Sequence, residues 1–179
     1  MLTYAPTSGQ RYVFADLDQK SFSMVTRLNV TFTPYLSLQL YAQPLLSAVD
    51  YVSYKQLEAP ETFDFDVFDE GTYAELAGQA LCQGGRICQD GDRQFVDFDA
   101  DGLADYSFSD RDFNQRSLIG NAVLRWEYRP GSTIFVVWQH EQFERADRGD
   151  FSLGRDARAL FGSPSSDAFI IKMNYWLGL

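Results

Sequence analysis

The stretch Phe169-Ile-Ile-Lys-Met-Asn-Tyr-Trp-Leu-Gly-Leu179 alternates two kinds of side chain along its whole length. Its odd-numbered positions are all apolar or aromatic, whereas the even-numbered positions include Lys172, Asn174 and Gly178. Because successive side chains of a β-strand point to opposite faces, the pattern predicts a strand with one unbroken apolar face. A tilted strand of about 9 to 11 residues is long enough to cross a bilayer.

This stretch resembles the closing strand of a bacterial outer-membrane barrel. In that class, apolar residues at alternate positions counted back from the C-terminus form an assembly signal. The terminal residue there is usually aromatic, so Leu179 is a mild departure.

Four earlier segments show the same alternation and are also predicted to be strands. The expected end of the first is Pro34 and that of the second is Pro44, because proline cannot donate a hydrogen bond to a ladder. Short turns at Pro34 and at Arg129-Pro130-Gly131-Ser132 predict two hairpins. The five predicted strands cover residues 21–33, 35–43, 116–129, 132–141 and 168–179.

The turn lengths predict an orientation. Outer-membrane barrels have short periplasmic turns and long external loops, so the long segments 46–115 and 145–167 should be extracellular and the C-terminus periplasmic. The charged residues of the strands share the parity opposite the apolar one and are expected to face the barrel interior. These residues are Arg27, Arg125, Glu127, Arg129 and Lys172.

The predicted fold is all-β: an antiparallel up-and-down transmembrane β-barrel portion of about five strands with a long external loop. Residues 1–179 form the C-terminal segment of an outer-membrane barrel, within which 46–115 is a long acidic extracellular loop. Five strands cannot close a barrel, so the missing strands are expected before Met1 or from other chains. No signal peptide begins at Met1, which also favours a piece of a longer precursor. A soluble β-sandwich with one wet face is the alternative.

Charge is distributed unevenly along the chain. The net charge is −10. Residues 46–115 contain 16 acidic and 4 basic side chains, whereas the rest of the chain contains 9 acidic and 11 basic side chains. This distribution excludes a nucleic-acid partner, whose phosphates need a basic surface. It is typical of cation binding or of a solvated external loop.

The two cysteines, Cys82 and Cys88, lie in the sequence CQGGRIC within the acidic segment. Two glycines between them allow a tight reversal, and an extracytoplasmic location permits a disulfide, so a local Cys82–Cys88 disulfide is predicted. A reduced pair in a cytosolic protein is the alternative. A zinc site is disfavoured because no histidine lies nearby.

The motif Asp97-Phe-Asp-Ala-Asp-Gly-Leu-Ala-Asp105 has the spacing of a calcium loop. Calcium prefers six to eight oxygen ligands, and glycine at the sixth position permits a sharp turn. Position 12 is Phe108 instead of the glutamate of an EF-hand, so a strand-loop-strand site is predicted between residues 94–96 and 106–108. Its expected ligands are Asp97, Asp99, Asp101, Asp105 and the Leu103 carbonyl. A solvated acidic hairpin tip is the alternative.

Catalysis has little support in the sequence, and no catalytic residue is predicted. The single histidine, His140, shares parity with Trp138 and is expected at the outer membrane interface. A hydrolase would need a serine beside it, and Ser109 and Ser152 could reach it only through the folding of their loops.

Seven further stretches of the chain are distinctive: RYVFADLDQ (11–19), RLNVTFTP (27–34), LSLQLYAQP (36–44), DFN (112–114), RSL (116–118), LRWEYRPGST (124–133) and NYWLG (174–178). Together they resemble a family of uncharacterised bacterial membrane-associated barrels. That family often carries an N-terminal module similar to the family-nine carbohydrate-binding domains. The resemblance implies an outer-membrane location with lipid, earlier barrel strands and such a module as partners, but no activity. The expected function is transport or surface binding of saccharide-like or other polar ligands, with a calcium-ordered external loop. A surface hydrolase with its catalytic part upstream, or a soluble secreted β-protein, is the alternative.

Overall fold

The computed structural model describes residues 2–4, 11–58 and 62–178 of the 179-residue chain. Strands make up 68% of the chain and helix 6%, so the all-β prediction is confirmed. The paired strands run antiparallel, as predicted, and those in the described ranges form no closed barrel.

The structure contains thirteen described strands and one described helix. In chain order they are β1 (Leu2–Tyr4), β2 (Arg11–Ser23), β3 (Thr26–Thr33), β4 (Leu36–Leu57), β5 (Phe65–Val67), β6 (Thr72–Leu76), β7 (Gln79–Gln83), β8 (Ile87–Asp90), β9 (Arg93–Val96), β10 (Tyr106–Ser109), β11 (Phe113–Arg129), β12 (Ser132–Ala146), α1 (Leu153–Gly162) and β13 (Ser165–Asn174).

The five predicted strands are recovered as β3, β4, β11, β12 and β13. β3 pairs with β4, and the same sheet continues through β11 and β12 to β13 at its edge. Both predicted hairpins are present: β3 pairs with β4 across the Pro34 turn, and β11 pairs with β12 across the Pro130-Gly131 turn.

The predicted bounds of the first two strands were wrong. β4 continues through Pro44 instead of ending there, whereas the predicted 21–33 strand is broken at Met24 and Val25. The Met24 amide donates to the Pro44 carbonyl oxygen at 3.2 Å. Proline has no N–H to offer the neighbouring strand, so the interruption falls in the partner strand.

The last strand also ends earlier than predicted. β13 stops at Asn174, which pairs with Thr133 near the start of β12, so residues 175–178 have almost no β12 left to pair with. The Trp176 amide donates to Ser132 Oγ at 3.0 Å, which ties this tail to the start of β12. Leu179 lies outside the described residues.

The chain divides into two compact units. The loop unit comprises Met1–Gln19, Val49–Phe113 and Asp147–Gly149, and the sheet unit comprises Lys20–Ala48, Asn114–Ala146 and Asp150–Leu179. The long strands β2 and β4 each contribute residues to both units.

The loop unit has its own hydrophobic core, although most of it was predicted as an external loop. It contains β5 to β10, among which β8, β9 and β10 form a three-stranded sheet and β6 pairs with β7. The core residues are Val13, Tyr54, Phe68, Ile87, Val96, Phe98 and Phe108.

The helix α1 lies in the long segment before β13 and was not predicted. It buries Leu160 and Asp156 and packs against β12. Its C-terminal end is fixed to β12 by Gln142, whose side-chain amide donates to the Ser163 carbonyl oxygen at 2.9 Å.

Candidate functional site

One face of the sheet unit is apolar across adjacent strands. On β12 and β13, the register pairs Ile134 with Met173, Val136 with Ile171 and Trp138 with Phe169. The same three β12 residues are paired on their other side with three apolar residues of β11. Those β11 partners are Trp126, Leu124 and Ala122. The register therefore places the predicted apolar parity of three strands on one face, as residues directly opposite each other share a face.

This apolar face is exposed. Phe169, Ile171 and Leu177 are 72%, 73% and 74% accessible, and all ten residues of β13 are exposed. The other end of the sheet unit is similar, since Phe22, Met24, Leu28 and Phe32 are also exposed on the predicted parity. Soluble monomers rarely expose contiguous apolar patches larger than a few hundred Å².

Polar side chains lie on the opposite parity of the same strands. Arg125 forms an ion pair with Glu127 at 3.1 Å, and the Arg27 guanidinium lies 5.6 Å from the centre of the Tyr41 ring. A cavity of about 250 Å³ opens on this side. Its lining includes Arg27, Asn29, Gln39, Tyr41 and Asn121.

Arg129 departs from the predicted parity. A register shift between Glu127 and Arg129 pairs Arg129 with Ser132, which is on the apolar parity of β12. Its Nη1 donates to the Tyr175 hydroxyl at 3.1 Å. The prediction that Arg129 points to the polar side was therefore wrong, because one extra residue in a strand reverses the facing of those beyond it.

His140 and Asp167 form a polar pair at the opposite end of the apolar face. Asp167 Oδ1 lies 2.8 Å from His140 Nδ1 and accepts a 2.7 Å hydrogen bond from Trp138 Nε1. The sequence reasoning missed Asp167, although its position opposite His140 follows from the β12–β13 register. Ser109 belongs to the loop unit, and Ser152 immediately precedes α1.

The acidic loop between β9 and β10 brings three carboxylates together. Ligand oxygens of Asp97, Asp99 and Asp105 all lie within 4.8 Å of one another. The flanking segments form antiparallel strands, β9 and β10, which confirms the predicted strand-loop-strand setting. Gly102 has φ +91°, so the glycine of the motif is needed for the turn.

Backbone amides hold this loop in shape. Asp97 is buried and accepts from the amides of Ala100 and Gly102, both at 2.7 Å. Asp105 accepts from the Phe98 amide at 2.8 Å, and Asp99 accepts from the Asp101 amide at 3.3 Å. The three carboxylates are therefore oriented by main-chain contacts, which leaves oxygen lone pairs for another partner.

Asp101 and Leu103 are placed differently from the three carboxylates. Asp101 Oδ1 accepts from the Leu103 amide at 2.8 Å, and Asp101 is not part of the close group. The residues on either side of Leu103 are hydrogen-bonded to β7. The Cys82 amide donates to the Gly102 carbonyl oxygen, and the Ala104 amide donates to the Ala80 carbonyl oxygen. Successive carbonyls of an extended chain point to opposite sides, so the Leu103 carbonyl faces away from β7.

The carboxylates of the loop repel one another. Desolvation, followed by the negative charges of Asp101, Asp105 and Asp97, raises the pKa of Asp99. A cation among these oxygens would relieve that repulsion.

The predicted disulfide joins Cys82 and Cys88, both of which are buried. It links β7 to β8, and the Cys82 amide is bonded to the acidic loop through Gly102 O at 3.2 Å. Gly85 in the intervening turn has no room for a side chain, because a Cβ there would lie 2.4 Å from the Asp69 carbonyl oxygen.

A buried polar network in the sheet unit was missed by the sequence reasoning. Asp156 of α1 is fully buried and accepts from the Ser152 amide at 2.8 Å and from Asn114 Nδ2 at 3.1 Å. Arg116, also buried, lies 3.4 Å from Asp156 and 3.2 Å from Glu144. Asn114 and Arg116 come from the DFN and RSL stretches quoted above, but nothing in the sequence pairs them with Asp156.

No family model, curated protein or solved structure matches this chain. Within the described ranges, none of the helical segments has the length and apolar character needed to span a membrane.

Proposed function

We propose that this chain is a segment of a bacterial outer-membrane β-barrel that serves transport or surface binding of polar, saccharide-like ligands. The observation that carries the proposal is the exposed apolar face of the sheet unit, aligned by register across β11, β12 and β13. Lipid is the solvent that such a face prefers, since burying apolar area in water-free surroundings is favourable by about 25 cal/mol per Å².

The height of the apolar face supports the same proposal. Polar groups bound it at both ends, with Arg129 opposite Ser132 at one end and His140 beside Asp167 at the other. Eight residues separate Ser132 from His140 along β12, or about 26 Å at 3.3 Å per residue. At the usual strand tilt this gives about 20 Å along the membrane normal, comparable to the apolar band of about 25 Å in outer-membrane barrels.

The sheet edges imply further strands. β13 pairs only with β12 among the described strands, and an unpaired edge in lipid costs several kcal/mol per unsatisfied group. The proposed partners are outer-membrane lipid and additional barrel strands. The resemblance to membrane-associated barrels adds an N-terminal carbohydrate-binding module. By the turn-length rule, the segment between β4 and β11 is extracellular and the C-terminus periplasmic.

The residues on the polar side of the sheet indicate which class of ligand the protein binds. The cavity beside Arg27 and Tyr41 combines amides, a cation and an aromatic ring, which suits hydroxyl-rich ligands through hydrogen bonding and ring stacking.

Calcium bound by the Asp97–Asp105 loop is proposed to order the loop unit. The grouping of Asp97, Asp99 and Asp105 supports this, since hard divalent cations bind carboxylate oxygens. Extracellular sites of this class bind at roughly 10⁻⁴ to 10⁻³ M. Calorimetry on the protein and on Asp99→Asn should show calcium binding that the substitution weakens, with Asp64→Asn as an exposed, charge-matched control. Equal heats for all three proteins would contradict the calcium proposal.

Fractionation of the protein expressed from its native gene tests the location. The expected result is recovery in outer membranes, resistance to alkaline extraction, and faster gel migration before heating than after it. Recovery as soluble monomer would contradict the membrane proposal and favour a secreted β-protein.

A further inference from the structure

The loop unit contains a second group of carboxylates, apart from the Asp97–Asp105 loop, around a cavity of about 220 Å³. Among the described residues that line it, four are acidic and none is basic. The acidic residues are Asp50, Glu70, Asp110 and Asp112. Gln89, Gln94 and Tyr54 add neutral polar groups to the same wall.

Asp112 is held in place by the chain around it. Its Oδ1 accepts from the Tyr51 amide at 2.8 Å. The backbone of Gly149 covers the Asp50–Asp112 pair so closely that a Cβ there would lie 2.7 Å from Asp50 Cα and 2.8 Å from Asp112 Oδ2. Glycine is therefore required at position 149, and the pair is shielded from solvent on that side.

The carboxylates of this cavity face one another, with no basic side chain in the described part of its wall. The Asp50 and Asp112 side chains contact each other, and the charge of Asp110 acts on the same pair. Asp110 is partly satisfied, since its Oδ2 accepts from Gln89 Nε2 at 2.9 Å. No guanidinium or ammonium lines the described wall to balance the remaining charge.

Tyr54 provides an independent indication of a ligand. Its side chain is only 8% exposed, and its hydroxyl has no hydrogen-bond partner among the described residues. Burial, followed by the charges of Asp110, Asp112 and Asp50, raises the pKa of Tyr54, so the hydroxyl lies in the field of these carboxylates. Buried hydroxyl groups without a partner are rare because they lose their bonds to water without replacement.

We infer that this cavity binds a hard divalent cation, of the Ca²⁺ or Mg²⁺ class, that retains part of its water shell. Asp50, Asp110 and Asp112 supply the charge that such a cation needs. Their oxygens are not among those that lie within 4.8 Å of one another, so bound water completes the coordination. The cavity of about 220 Å³ is large enough for an ion and its bound water. The Tyr54 hydroxyl oxygen would accept a hydrogen bond from a cation-bound water.

This site is separate from the calcium loop of the proposed function, so its test starts from a protein in which that loop is disabled. Calorimetric titration of Asp99→Asn/Asp105→Asn with CaCl2 and with MgCl2 should show about one equivalent of bound cation. Adding Asp112→Asn should weaken this binding at least about tenfold, whereas adding the exposed Asp64→Asn should not. Asp112→Asn keeps an oxygen for the Tyr51 amide, and far-UV circular dichroism checks that it folds.

Tyr54→Phe is a second variant that does not alter charge. It should weaken cation binding a few-fold and raise the melting temperature of the cation-free protein, because it removes the unpaired hydroxyl. Absence of binding in the loop-disabled protein would overturn the inference, as would binding that survives both Asp112→Asn and Tyr54→Phe. Binding that is confined to the intact Asp97–Asp105 loop would support the calcium loop and reject this second site.

Discussion

At the scale of single residues, two carboxylates that are removed from solvent have different surroundings. Asp156 is buried but bonded to Ser152, Asn114, Arg155 and Arg116. Asp112 is half-buried beside other carboxylates and carries a raised pKa. A buried charge with hydrogen-bonded partners stabilises one conformation. A charge without an opposite partner lowers stability and favours the binding of a counter-ion.

Replacing Asp156 with asparagine should destabilise the sheet unit. The substitution keeps the shape of the side chain but leaves the buried Arg116 with Glu144 as its remaining acidic partner. Breaking a buried pair in this way costs about 3 kcal/mol. Guanidinium unfolding measures the loss, and the exposed Asp147→Asn should change stability by no more than about 0.5 kcal/mol. Equal effects of the two substitutions would contradict the role given to the network.

Asp112 should make the cation-free protein less stable as the pH rises. Its pKa is about 6 in the folded state and 3.8 in the reference state, so the protonated form favours folding. That contribution is fully present below about pH 4 and is lost as the pH rises through 6. The full shift in pKa corresponds to about 3 kcal/mol, which solvent screening of this half-buried carboxyl reduces to about 2 kcal/mol. Asp112→Asn should remove it, so the variant should gain stability relative to the parent between pH 4 and pH 8. A constant difference between the two unfolding curves across this range would contradict the assignment.

At the scale of strands, register determines which side chains share a face. The alternation in residues 118–128, 134–138 and 169–173 was sufficient to predict the apolar face that β11, β12 and β13 form. It could not predict the register shift that moves Arg129 to the other side, because an extra residue in a strand leaves the sequence period locally unchanged.

Other features of the fold depend on contacts between residues distant in sequence. The break at Met24 is caused by Pro44, and the burial of Asp156 depends on Asn114 and Arg116 of another strand. The Cys82–Cys88 disulfide and the Asp97–Asp105 turn were predictable because their partners are local. The Asp50–Asp112 cavity was not, since its lining residues come from four separate segments, 50–54, 70–71, 87–94 and 110–112.

Arginine substitutions at adjacent positions of β13 should have unequal effects. Ile171 faces Val136 on the apolar side, whereas Ile170 shares the parity of Lys172. On the lipid side an arginine costs about 2 to 4 kcal/mol near the membrane midplane, so Ile171→Arg should reduce the membrane-inserted fraction. Ile170→Arg is the matched control and should be tolerated. Loss of insertion in the control alone would reverse the assignment of the two faces.

At the scale of the whole molecule, the chain combines a unit with an enclosed core and a unit with an exposed apolar face. The loop unit buries aromatic and aliphatic residues around Tyr54, Phe68 and Val96. The sheet unit leaves Phe169, Ile171 and their neighbours accessible. This contrast within one chain is expected if the two units are in different solvents, water for the first and lipid for the second.

The most direct test of lipid contact uses the tryptophans of the apolar face. Trp126 and Trp138 lie on that face and are 48% and 36% exposed. In variants that retain only one of them, reconstituted in vesicles, bromine atoms on the lipid acyl chains should quench the fluorescence, while aqueous iodide should have little effect. Quenching by iodide without quenching by brominated lipid would show that this face contacts water and would contradict the membrane assignment.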